Sequence, residues 1–164
     1  MFLLEICLSY KLVFNFDESR LKPELEQTIR EKFQTEFGVV TTIPVTVQLL
    51  KADGRWTTVE AFFDTGAVIS LFSKQVGEEI GITRFVPHRL SGISKREECM
   101  LAVRLAKARA RLVDIMGNTS PELDIWVAFA EEPVPHVLGM KDIINKFRLE
   151  SDPVEKKFYL TWKE

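Results

Sequence analysis

The sequence predicts a mainly β fold, a small barrel or sandwich with few helices. Beyond residue 40, short runs alternate apolar and polar residues, most clearly Ile43, Val45, Val47 and Leu49. Turn-forming pairs separate those runs: Asp53-Gly54, Gly117-Asn118 and Asp152-Pro153. The chain has 164 residues, enough for one domain with a proper core and too few for two comfortable ones.

Leu4–Phe16 reads as a first strand, with Ile6, Leu8, Tyr10, Leu12 and Phe14 at alternate positions. A helix is expected next, with Pro23 suited to its first turn and Gly38 to its stop. Leu21, Leu25, Ile29, Phe33 and Phe37 recur every fourth residue, and Glu, Arg and Lys take the other faces. Core packing is the expected use of that stripe, and a partner-binding helix is the competing one. Ile43–Lys51 then forms a strand, Asp53-Gly54 turns it, and Arg55–Phe63 returns. Glu97–Val113 is rich in Ala, Leu, Arg and Lys, a helical composition. Its alternation changes parity: Leu101, Val103 and Leu105 share one phase, and Ala106, Ala108, Ala110 and Leu112 the other. A β-bulge near Leu105 would reconcile that change with a strand. After Gly117-Asn118, Leu123–Ala130 is a further apolar strand, and Pro133 and Pro135 keep the following stretch extended. Phe147–Leu149 and Lys157–Trp162 pair across Asp152-Pro153.

Composition narrows the function. Apolar residues at 46% and charged residues at 28% describe a globular chain and not a disordered one. With 22 basic and 24 acidic residues the net charge is −2, so no global field favours nucleic acid or an anionic membrane, and neither is expected as a partner. Arg104, Lys107, Arg109 and Arg111 read as a solvated strand face offset by nearby acids. Cys7 and Cys99 show no metal-ligand spacing; two buried free thiols are expected, ahead of one long-range disulfide. His88 and His136 are too few for a zinc site without carboxylate help, and no metal or other cofactor is expected. Glu5 and Lys11 interrupt the apolar start, which lacks a basic leader and a small-residue cleavage site. No stretch approaches the ~20 apolar residues of a membrane span. A cytoplasmic protein is expected.

The chemistry centres on Asp64-Thr65-Gly66-Ala67. Ala61–Phe63 precedes this tetrapeptide and Val68–Phe72 follows it, so one carboxylate sits at the apex between two apolar strands. Desolvation in such a place disfavours a charged carboxylate, and carboxylates perturbed in this way do acid–base work. The plainer alternative is a hairpin in which Asp64 makes an Asx-turn and Gly66 supplies the turn conformation. Turns seldom lie between runs this apolar, which favours the functional reading.

From Thr42 to Trp162 the chain resembles the retropepsin-like aspartic proteases, the family that includes the retroviral enzymes. The Asp64–Ala67 loop, the apolar strand Val68–Phe72, the short helix Ser73–Ile80 and the turn Gly81-Ile82 follow the family's order. So do a flap candidate at Leu90-Ser91-Gly92-Ile93-Ser94, an apolar strand ending in Leu138-Gly139, a helix in Met140–Phe147 and the hairpin Arg148–Trp162. Met140 stands where the family often has Arg, and this flap candidate has a single Gly. The resemblance implies a small closed, sandwich-like β-barrel of the retropepsin type with one short C-terminal helix. Residues 1–40 would be a strand–helix extension packed on a protease domain of residues 41–164. It also requires a strand, not a helix, at 97–113.

It further implies an aspartic endopeptidase acting on peptide or unfolded protein. Two carboxylates about 3 Å apart share one proton, so that one activates water while the other polarises the scissile carbonyl. The chain holds a single Asp-Thr-Gly, so two copies of Asp64 must meet across a two-fold axis in a homodimer. Asp64 is the implied catalytic residue. Thr65 would hydrogen-bond across the interface, Gly66 would bring an N–H to the carboxylate, and Ala67 would leave room for substrate. Ser91, Gly92 and Ile93 would form the closing flap. The competing possibility is a non-catalytic dimer that binds extended peptide by strand addition, or serves a regulatory role.

Overall fold

Residues 44–63 show how the alternating pattern becomes structure. In the computed structural model, which describes residues 11–92 and 96–163, β4 (Pro44–Leu50) and β5 (Trp56–Phe63) form the hairpin that Asp53-Gly54 announces. Gly54 takes a positive φ of 84°, the left-handed conformation that glycine adopts without steric cost. Val45, Val47 and Leu49 point into the core, as do Val59, Ala61 and Phe63 from the returning strand.

The remaining elements, in chain order, are β1 (Lys11–Asn15), β2 (Asp17–Arg20), α1 (Pro23–Phe33) and β3 (Val39–Thr42) before that hairpin. After it come β6 (Ser70–Ser73), α2 (Lys74–Ile80), β7 (Val86–Leu90), β8 (Leu101–Val113) and β9 (Leu123–Ala130). The chain closes with β10 (Val137–Leu138), α3 (Lys141–Ile144), β11 (Phe147–Asp152) and β12 (Lys157–Trp162). Among the described residues the fold is therefore mainly β with three short α-helices. Its principal sheet has seven strands in the order β4-β5-β10-β6-β9-β8-β7, and β4 also pairs with β8, so the sheet curls back on itself. A three-stranded sheet, β1-β12-β11, and the β2-β3 pair complete it. No helix among the described residues is long and apolar enough to cross a membrane.

The strand expected at Leu4–Phe16 is described from Lys11, and its earlier residues, Cys7 included, lie outside the described range. Leu12 and Phe14 lie opposite Leu160 and Phe158 on β12 and are buried with them. The Phe63 ring packs between Phe14 and Phe158, at centroid distances of 5.5 and 5.2 Å. The carboxylate of Asp114, only 7% exposed, fastens β1 in place. It accepts the N–H groups of Val13 (3.1 Å), Met116 (2.9 Å) and Asn118 (2.8 Å). Asp114→Ala would strand these donors where water reaches poorly. A loss of about 2–3 kcal/mol is expected, read as a lower denaturant midpoint at unchanged slope. An unshifted midpoint would show that the carboxylate is no tie.

Two local expectations change. Helix α1 forms from Pro23 but ends at Phe33, capped by Gln34 in the left-handed conformation, four residues short of Gly38. Its apolar stripe does not enter the core: no residue of α1 is buried. The space a core helix would occupy is taken by Leu12, Phe14, Phe158 and Leu160. At 101–113 a strand forms despite the helical composition, because β4, β7 and β9 all pair with it. It has no bulge in its pairing with β9. Val103 lies opposite Ala130 and Ala106 opposite Val127, with no residue inserted between. The change of parity has another cause: both faces of β8 are covered, each along part of its length. Ala106, Ala108, Ala110 and Leu112 face the main core. Val103 packs on the opposite face with Ala128 and Ala130, flanked by Leu90, Leu101 and Leu105.

Candidate active site

β5 carries the chain to Asp64 and places it by backbone hydrogen bonds. The N–H of Phe62 donates to His136 O (3.1 Å), that of Phe63 to Ile43 O (2.9 Å) and that of Asp64 to Leu138 O (3.1 Å). Alternation buries Phe63 and turns Phe62 outward, 42% exposed. The loop then closes on itself. Ala67 N–H donates to Asp64 O (3.1 Å), and Gly66 N–H donates to Asp64 Oδ1 (2.8 Å). A Cβ at Gly66 would stand 3.3 Å from that oxygen, so the bare glycine lets the amide approach the carboxylate.

The loop is laced to a segment more than seventy residues away. Met140 N–H donates to Ala67 O and Lys141 N–H to Val68 O, each at 2.9 Å. Gly139 N–H donates to the buried Ser70 Oγ at 3.1 Å. Gly139 itself lies flat against the backbone of Ile69, where a Cβ would fall 2.4 Å from the carbonyl carbon. The Leu138-Gly139 landmark and the Asp64 loop are thus one packed unit.

Asp64, Thr65 and Gly66 are exposed and Ala67 is half-buried. The apolar flanks therefore do not take the carboxylate out of water within a single chain, contrary to the sequence expectation. Phe63 points into the core, and Phe62 stands to the side. The Thr65 hydroxyl makes no side-chain hydrogen bond among the described residues. Asp64, Gly66 and Ala67 line a cleft of about 560 Å³ together with Leu90, Ser91 and Gly92. Ser91 and Gly92 follow β7 and share this space with the carboxylate loop. Ile93, the third flap candidate, lies outside the described residues.

Sequence reasoning missed other residues of the cleft. Leu71 and Val137 line it and pair across β6 and β10. Their shared outward parity was the available signal, and it needed the register to be read. Cys99, the last residue of a short 3₁₀ turn at Glu97–Cys99, also lines the cleft. It is a free thiol but an exposed one, not a buried one.

The strands leading to the candidate flap are braced by charge. Glu131 accepts Arg104 Nε at 2.7 Å and meets Lys74 Nζ at 3.3 Å, joining β8 to α2. Burial pushes the Glu131 carboxyl up, and the hydrogen bonds from Lys74 and Arg104 outweigh it, holding the group below its ordinary value. The other basic residues of β8 also have partners. Arg109 meets Glu122 and Asp124, Arg111 lies over Trp56, and Lys107 lies over Trp126. His88 is exposed, and His136 Nε2 lies 3.2 Å from Ser73 Oγ with its ring edge-on to Phe72. Among the described residues no three His, Cys, Asp or Glu side chains gather as a metal-binding group.

No family model and no curated protein matches the chain. Among solved structures, it is similar to the crystal structure of a retropepsin-like aspartic protease from Rickettsia conorii. That likeness has a TM-score of 0.51 at 11% identity and covers 94% of this chain and 95% of that one. At such identity what is shared is the architecture, and the chain has a retropepsin-like fold.

Proposed function

We propose that the chain is an aspartic endopeptidase, active as a homodimer, that hydrolyses peptide bonds by activating water between two Asp64 carboxylates. The observation that carries this reading is the Asp64 loop itself. Its carboxylate accepts the Gly66 amide and is exposed, and Asp64 lines a cleft that Ser91 and Gly92 also line. A lone exposed carboxylate has no means of holding a shared proton; a second copy across a two-fold axis supplies the partner. Thr65, free of side-chain partners among the described residues, would then pair across that axis. The 41–164 segment would be the protease domain, with the β4–β8 pairing closing its sheet as a small barrel. Substrate would lie extended between the two loops, covered by Ser91 and Gly92 of each copy.

The pair works only while it holds one proton, and its two apparent pKa values belong to the dyad. At acid extremes both carboxyls are protonated and no base remains. As pH rises the second carboxyl ionises and the acid is lost. The rate constant kcat/KM for an unstructured peptide should therefore trace a bell centred in mildly acidic solution. The measurement follows kcat/KM across pH, with dimer content checked at each point and a transition-state mimic as inhibitor. A rate that climbs into alkaline pH while the dimer persists rules out a shared-proton pair.

A further inference from the structure

Residues 17–42 form an arm that leaves the body of the protein at the end where Asp64 sits. β2 and β3 pair from Asp17–Thr42 to Arg20–Val39, and α1 joins them. The arm is rooted beside the candidate catalytic loop. One residue past β3, Ile43 O accepts the N–H of Phe63, the neighbour of Asp64. Its other root is held by Phe16 N–H on Lys156 O (3.0 Å) and by Lys156 Nζ on Glu18 (3.0 Å). Within the arm, Arg30 pairs with Glu36 at 3.2 Å, and Phe37 N–H donates to Glu26 Oε1 at 3.3 Å, folding the chain after α1 back along the helix.

The arm is thus ordered by its own polar contacts, while Leu25, Phe33 and Phe37 of its apolar face are left exposed and Ile29 between them is half-buried. Leu25, Ile29 and Phe33 follow one another at four-residue spacing along α1. Phe33 is 71% exposed and Phe37 58%. Apolar faces of this kind mark contact surfaces.

The position of the root identifies the occupant. A two-fold axis that joins two Asp64 carboxylates passes within a few residues of Ile43, so a segment rooted there meets the second copy. The loops alone offer that copy little, with Phe62 and Val68 as their exposed large apolar side chains. Stable interfaces bury about 1,200–2,000 Å². The last strand has no edge to add, because β12 is flanked by β1 and β11 of its own chain. An α1 of 11 residues is about 16 Å long and adds the exposed Leu25 and Phe33 beside that root.

We propose that residues 17–42 are a dimerisation clasp, whose Leu25, Ile29, Phe33 and Phe37 pack on a second copy of this chain. The clasp rests on the paired-Asp64 reading for its partner and its axis. Its test is the double variant Phe33→Glu/Phe37→Glu, with Phe33→Leu as the conservative control, in the full chain. Sedimentation is followed from nanomolar to high micromolar protein. The double variant should keep its circular dichroism and raise the dimer dissociation constant at least tenfold, while Phe33→Leu dimerises as the parent does. Peptide cleavage should fall at low protein concentration and recover at high concentration. An unchanged dissociation constant overturns the clasp, and a raised KM alongside it would assign the face to substrate. A monomeric parent that binds phosphatidylserine vesicles through Phe33 would assign it to a membrane and overturns the clasp equally. The two proposals fail separately. A parent dimer weakened by the variant but without peptidase activity leaves the clasp standing and removes the protease reading. Asp64-dependent cleavage by a dimer indifferent to the variant does the reverse.

Discussion

Asp64→Asn is expected to remove peptide cleavage by about a thousandfold or more while leaving the fold intact. The carboxamide has the volume of the carboxylate and retains an oxygen for the Gly66 N–H, which now donates to Asp64 Oδ1 at 2.8 Å. The backbone bonds from Asp64 N–H to Leu138 O and from Ala67 N–H to Asp64 O do not involve the side chain. What the amide cannot do is exchange a proton with its twin. In a dimer above the optimum, where both carboxyls ionise, the substitution also removes two like charges held at close range, so dimer stability there should stay level or rise. Circular dichroism, melting temperature and sedimentation report the structure, and kcat/KM at the acid optimum reports the chemistry. A variant that cleaves as well as its parent would reduce Asp64 to a turn residue and end the protease reading.

Gly139→Ala should be the most damaging single methyl in the chain. Its Cβ would lie 2.4 Å from the Ile69 carbonyl carbon, 2.6 Å from its oxygen and 2.9 Å from the Ser70 nitrogen. These are backbone atoms, which cannot swing aside as a flexible side chain does. Relief requires β10 and the loop to separate, which weakens Gly139 N–H to Ser70 Oγ and Met140 N–H to Ala67 O together. A cost of about 3 kcal/mol is expected, lowering the melting temperature by roughly 6–12 °C. Activity should fall further than stability, because the same movement displaces Asp64. Gly92→Ala is the control: among the described residues no atom beyond its chain neighbours lies within 4 Å of the added carbon, and the melting temperature should not move. If Gly139→Ala melted like its control, the close packing of β10 on the loop would be disproved.

Much of this site was legible in the sequence because its signals are local. Asp53-Gly54 fixes a tight turn, the turn fixes the register of β4 on β5, and that register carries Asp64 to the strand end. The Asp64–Ala67 loop needs only its own residues to set the Gly66 amide on the carboxylate. Leu138-Gly139 was recognisable as a landmark, but its purpose was not. The contact with Ile69 joins positions seventy residues apart, and no periodicity records it.

By itself the sequence determined where the β4–β5 hairpin turns, which of its residues alternate, and which loop holds the carboxylate, since these follow from backbone preferences over a few residues; the β2–β3 pair was not legible in it. Only the tertiary structure decided what covers each apolar face. The four-residue period of α1 shows that the helix has an apolar side, but the core is filled by β1 and β12, and that side is left outward. The phase change in β8 looked like an inserted residue and is the trace of a strand buried on one face and then on the other. Asp64, set between apolar runs, stays in water because strand alternation turns Phe63 inward and Phe62 aside. Burial is a property of the elements that meet at a residue, and a pattern along the chain constrains only one of them.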